Sequence, residues 1–158
     1  AATTGTPGCD RGRPTRNSRG HPPVGQFMTI PEDYTDLFDK PTFWHIATLG
    51  PDGHLQSSPV WGDFREGHFV FSLTKGRQKY ANLVRNPTVA ISGIDPDNPY
   101  RYLELRGAVV RIDDDSSNEF IDAMAKKYMG VDSYPFHQPG DERVVMVVEP
   151  VHTTQMGS

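Results

Sequence analysis

HFVFSLTKGRQKYANLVRNP, residues 68–87, holds a strand, a turn and a helix in close succession. The apolar run His68 to Leu73 reads as a strand, and Thr74-Lys75-Gly76 as the turn that ends it. A short amphipathic helix follows from Gly76 to Arg85. Arg77 and Lys79 lie in its first turn, and Tyr80, Leu83 and Val84 fall at core spacing. The first N–H groups of a helix have no intrahelical partner, so two cations beside them make a site for a phosphate. Gly76 allows the tight bend that lets a phosphate come close. The segment reads as the phosphate grip of a nucleotide-like cofactor; the alternative is a solvated basic helix start.

On the N-terminal side, Pro31-Glu32-Asp33 with Tyr34, Leu37 and Phe38 predicts a short helix with acids at its positive end, closed by Pro41. Phe43–Leu49 and His54–Phe64 read as paired strands about a Pro51-Asp52-Gly53 turn. Pro59 removes a ladder donor, which places it at a sheet edge or at a kink. On the C-terminal side come a strand from Thr88 to Ile94, a loop at 95–99, and a long strand from Tyr100 to Ile112. Gly107 within that strand signals a bulge or a close backbone approach. Asp113-Asp114-Asp115-Ser116 caps a helix reaching Met129, with Phe120, Ile121, Met124 and Tyr128 inward and Gly130 at its end. A loop, 131–142, leads to a last apolar strand, Arg143–Glu149, and a short extension. The expected fold is mainly β with peripheral helices, a six-stranded antiparallel barrel.

At 158 residues the chain suits one domain. Residues 1–27 carry four Arg against Asp10, many Gly and Pro, and almost no aliphatic side chain. Such a stretch cannot bury enough apolar area to order itself, so it reads as a disordered basic tail or a leader. Its charge is +3, which leaves −7 for the expected folded domain, 28–158, of a total of −4. The only cysteine, Cys9, lies in the tail, which fits a reducing cytoplasm. No apolar run approaches the ~20 residues of a membrane span. Four scattered Arg with a single aromatic, Phe27, are weak evidence for nucleic acid, which is not expected as a partner.

The chain lacks GxSxG, HExxH, CxxC and GxGxxG, and its six His are scattered. A metal site is not expected, and the Asp113–Asp115 run is better explained as a helix start. Without an obvious nucleophile or acid–base pair, the pattern suits a protein whose cofactor carries the reaction. A flavin-like group needs an anion grip, backbone groups for its ring edge and an apolar wall. Arg77 and Lys79 offer the first, with Thr74, Lys75 and Asn82 as supporting donors. Gln56-Ser57-Ser58-Pro59-Val60-Trp61 offers the rest, though Ser57 and Ser58 also read as ordinary exposed strand residues and Trp61 as core.

FWHIATLGPDGHLQSSPVW at 43–61, followed by Arg77, Lys79, Asn82, Leu83, Asn86 and Pro87, resembles the split-barrel family of pyridoxamine 5'-phosphate oxidases and their deazaflavin-using relatives. The likeness runs from about Pro31 to Met156. It implies a six-stranded antiparallel split β-barrel that binds its cofactor at a homodimer interface. In that family pattern Gln56 to Trp61 contact the tricyclic ring, Arg77 and Lys79 the phosphate, and Thr74 the linking polyol or phosphate. The short chain and the Arg-x-Lys-x-x-Asn-Leu form look more like the branch using coenzyme F420, with FMN the alternative. Lys75, Arg77, Lys79, Arg85 and Arg101 would then form a basic groove for an oligoglutamate tail. The implied activity is hydride transfer between reduced deazaflavin and a small-molecule organic acceptor. The alternatives are an FMN-dependent pyridoxamine phosphate oxidase-like enzyme and a non-catalytic flavin-, deazaflavin- or tetrapyrrole-binding module. The 131–142 loop, with Tyr134, Phe136 and His137, reads as a lid, a substrate-selecting surface or a plain surface loop. Arg106 and Arg143 read as anion partners or as structural ion pairs.

Overall fold

Alternation along Phe43–Leu49 (β1) turns Trp44, Ile46 and Thr48 into the interior and leaves Phe43 and His45 outside. A computed structural model describes residues 30–158; the predicted tail, 1–27, with Cys9 lies outside the described residues. The other strands are Leu55–Arg65 (β2), His68–Thr74 (β3), Thr88–Asp95 (β4), Asn98–Asp114 (β5) and Arg143–Met156 (β6). Every neighbouring pair is antiparallel, and the order β1-β2-β3-β6-β5-β4 closes into a ring. A 3-10 turn, Glu32–Phe38, and two α-helices, Gln78–Arg85 (α1) and Glu119–Met129 (α2), lie around it. The expected six-stranded antiparallel barrel with peripheral helices is the fold that forms.

The interior is filled by Trp44, Ile46, Phe69, Phe71, Ile91, Leu103, Leu105 and Met146. Phe38 stacks on Trp44 at 4.9 Å, and α1 adds Leu83. Gly62 and Gly93 make room for the rings: a Cβ at either would fall 2.4 Å from Phe69 or Trp44. A second apolar layer lies outside, where α2 sets Phe120, Ile121 and Met124 against Val70, Val145 and Val147. Asp115 caps that helix by accepting the N–H groups of Phe120 and Ile121, at 3.0 and 3.1 Å. Gly130 ends it with φ of 71°.

Three local expectations are corrected. Val84 is 58% exposed, because Tyr80 and Leu83 share one face of α1 while Val84 is turned about 100° from Leu83. The last strand does not stop at Glu149. Residues 150–156 continue along β5, and their polar, half-exposed pattern concealed a strand paired on one side only. The 95–99 loop is a tight turn that returns the chain at Asn98 opposite Asp95. By contrast, Gly107 sits at a register shift, where a Cβ would meet the Glu149 carbonyl oxygen at 2.1 Å. Pro59 lies on a true edge. β2 pairs with β1 along 55–61, but meets β3 only along 62–65.

Candidate functional site

Because β2 and β3 part at Gly62, a cleft of about 400 Å³ opens between them. Pro59, Val60 and Trp61 form one wall; Ser72, Leu73 and Thr74 with Arg143 line the β3 side. Arg77 and Lys79 enter from the start of α1, and Tyr134, Phe136, Gln138 and Asp141 enter from the 131–142 loop.

Lys79 is 8% exposed, and its Nζ donates to Ser58 Oγ. Burial, and then the charge of Arg77, hold its pKa below the ordinary 10.5. Among the described residues no carboxylate lies within ion-pair distance, 4.0 Å, of that ammonium. Arg77 occupies the N-cap of α1 in extended conformation without a side-chain cap bond, and the first turn carries no acid. A desolvated ammonium, an exposed guanidinium and an uncapped helix start therefore point their positive charge into one cleft. Buried charges are normally paired, so this arrangement favours an anionic ligand.

Trp61 packs against the fold and also lines the cleft. One side stacks on Tyr128 at 5.2 Å and 14°, an edge meets Tyr134 at 5.8 Å, and the ring also lines the cleft. Tyr128 fixes this wall: its hydroxyl donates to the Thr42 carbonyl at 2.5 Å and accepts the Gly62 N–H at 3.1 Å. Burial pushes that phenol up to about 12, so it stays a neutral donor. Lys127 beside it donates to the Gly62 carbonyl at 3.0 Å. The C-terminal turn of α2 thus pins β2 where it leaves β3.

Of the residues expected at the site, Pro59, Val60, Trp61, Thr74, Arg77 and Lys79 line the cleft, and Ser58 supports it through Lys79. Ser57 is exposed on the outer face of β2. Gln56 lies opposite Thr48, and its Oε1 is buried without a partner among the described residues. Lys75 is ion-paired with Glu142 at 3.2 Å. Asn82 is buried within the fold, donating to Thr48 Oγ1 at 3.0 Å and accepting from Gln78 Nε2 at 2.8 Å. The wider basic groove does not assemble at this cleft. Arg85 donates to the Leu49 carbonyl at 2.5 Å, and Arg101 is buried against Asp36 and Asp95 at 2.6 and 2.7 Å. Arg106 pairs with Glu104 at 2.8 Å on the surface. Ser72 and Phe43 were not foreseen. The one available signal was that Ser72 shares the outward phase of β3 with Thr74, two residues on. No cluster of three or more metal-ligating side chains occurs among the described residues. Nor is any helix among them long and apolar enough to cross a membrane.

A ring of six antiparallel strands, parted between β2 and β3 over a cationic cleft, defines a split-barrel protein. The family model for pyridoxamine 5'-phosphate oxidase matches residues 30–157, and the chain belongs to that family. Among solved structures it is similar to an F420 reductase, with 40% identity, 79% of this chain and 98% of that chain covered, and a TM-score of 0.71. Likeness to the conserved hypothetical protein Rv2991 from Mycobacterium tuberculosis shows the fold alone, at 20% identity, 82% and 86% coverage and a TM-score of 0.62. The same holds for General Stress Protein 26 from Bacillus anthracis str. Sterne, at 17% identity, 79% and 92% coverage and a TM-score of 0.60. No curated protein matches the chain.

Proposed function

We propose that the protein is an F420-dependent oxidoreductase that moves a hydride between reduced coenzyme F420 and a small organic acceptor. The observation that carries this reading is the nearly buried Lys79 beside Arg77, without a carboxylate partner among the described residues, at the bare edge of β2. Its residues fit such a group. Two cations meet the phosphate, the unpaired side of Leu55–Trp61 offers backbone N–H and C=O to a ring edge, and Pro59, Val60 and Trp61 supply an apolar wall. The 40% identity to an F420 reductase favours the deazaflavin over FMN.

When bound, reduced coenzyme F420 supplies the hydride. Arg77 and Lys79 would hold the phosphate, with Ser58 orienting the Lys79 ammonium, and Thr74 would line the cofactor's polyol or phosphate. Tyr128 keeps Trp61 in place, while Tyr134 and Phe136 narrow the opening and keep water from the reacting face. No side chain is needed as a covalent catalyst. Phe43 and Phe136 line the cleft yet remain largely exposed, and Leu55 is exposed on the open edge of β2; this supports a homodimer with the cofactor at its interface.

Titration with oxidised coenzyme F420 and, separately, FMN at two salt concentrations tests the reading. Tight, salt-sensitive F420 binding with weak FMN binding is expected, followed by acceptor-dependent oxidation of the reduced cofactor. The reverse preference would favour an FMN-dependent oxidase, and binding of neither would overturn the cofactor site. Binding without turnover across acceptors would leave a carrier.

A further inference from the structure

We propose that Arg143 is a second anion point in the same cleft, and that it recognises the carboxylate of a flat aromatic acceptor. The proposal rests on the reading of the Arg77–Lys79 end as the cofactor's. Arg143 is 9% exposed and lines the cleft. Its Nη1 donates to Ser72 Oγ at 3.0 Å, while its Nε is buried without a partner among the described residues. The nearest acid, Asp141, forms a loose ion pair with Nη2 at 3.8 Å, too long for a hydrogen bond. The Asp141 Oδ2 is engaged elsewhere, accepting the Gln138 N–H at 2.9 Å within the loop's own turn. A guanidinium carries five donors in a rigid fork suited to a carboxylate, and here most of that fork has no acceptor.

The direction of the side chain separates it from the phosphate end. Arg143 lies opposite Thr74 in the ladder, but its head reaches Ser72, one outward position farther from α1. Lys79 instead turns to Ser58 on β2. Around Arg143 the surfaces are flat and apolar. Its guanidinium lies 4.8 Å over the Tyr134 ring, and Tyr134 meets both Trp61 and Phe136 edge-on, at 5.8 and 5.6 Å. Phe136 lines the cleft and is 56% exposed, leaving an aromatic surface for a planar ligand. A carboxylate on a conjugated ring would meet the fork and the aromatic wall together.

Calorimetric titration of the full chain with 2-naphthoate and its neutral counterpart 2-naphthamide tests this, in buffer free of carboxylate and phosphate, with F420 titrated on the same samples. The expected result is 2-naphthoate binding about tenfold or more tighter than 2-naphthamide. Arg143→Gln is expected to abolish the preference while leaving 2-naphthamide affinity unchanged and lowering F420 affinity far less than Lys79→Ala does. Arg143→Lys keeps the charge but not the fork; it retains part of the preference, and it decides the matter if the Gln variant does not fold. Asp141→Asn removes a competing carboxylate and strengthens 2-naphthoate binding. Equal binding of the two probes, or a preference that survives Arg143→Gln, would overturn the proposal. So would a preference lost in Arg77→Gln but kept in Arg143→Gln, or loss of F420 binding in a folded Arg143→Gln variant. An Arg143-dependent preference in a protein that does not bind F420 would support the anion point and remove only the cofactor reading.

Discussion

Lys79 brings an ammonium almost out of water beside a second cation, which costs free energy until an anion joins them. Its depressed pKa sets the sign of the pH dependence. The charged form is the penalised one, so the cost is present below the folded pKa and disappears as pH rises through it. A bound phosphate reverses the shift, favouring the protonated lysine. Anion affinity therefore falls as pH rises through a value below the ordinary 10.5. Lys79→Ala should weaken F420 binding by about 1.5–3 kcal/mol at neutral pH, with the loss shrinking at alkaline pH. Lys79→Arg should remove the alkaline decline, and titrations between pH 7 and 10 would show both. At this scale the cationic end of the cleft was legible because sign, spacing and helix start are local in sequence. Lys75, Arg85 and Arg101 carry the same sign, but Glu142, the Leu49 carbonyl and the Asp36–Asp95 pair engage them, and these partners lie where only the folded chain brings them.

Among the elements, β5 and β6 form the longest ladder and bear its sharpest constraint. At Gly107 the two backbones approach so closely that Gly107→Ala must move the strand or abandon the bulge. A loss of about 1–3 kcal/mol or more is expected, measured as a lower denaturant midpoint. Period-two alternation revealed β1 to β5 and the apolar half of β6, because an interior on one face writes itself into the sequence. It failed for residues 150–156, whose outer half faces water and whose partner is a strand about fifty residues earlier. The cleft was only half visible for a related reason. Pro59 announced the open edge, but the parting of β2 from β3 also depends on Tyr128 and Lys127, which grip Gly62 from α2, 65 or more residues away.

Over the whole molecule, Arg101 joins the 3-10 turn to the β4–β5 turn by bonding Asp36, Asp95 and the Asp33 carbonyl. Burial pushes the Asp95 carboxyl upward, yet the Asp97 N–H, Lys40 and Arg101 outweigh it and hold it at about 2. A depressed carboxylate stabilises the fold above its ordinary value of 3.8, and that contribution is lost as pH falls from there towards 2. Arg101→Met should cost about 1–3 kcal/mol at neutral pH, because Asp95 loses its guanidinium while keeping Lys40 and the Asp97 N–H. Acid unfolding followed by circular dichroism should then begin at a higher pH than in the parent. The place of β6 in the ring also bears on how the chain closes. That strand enters the ring between β3 and β5, so the five strands made before it form an open sheet with two unsatisfied margins. During synthesis the ring cannot shut until residues 143–156 leave the ribosome, and the nascent chain must keep those margins from other chains until its last strand arrives.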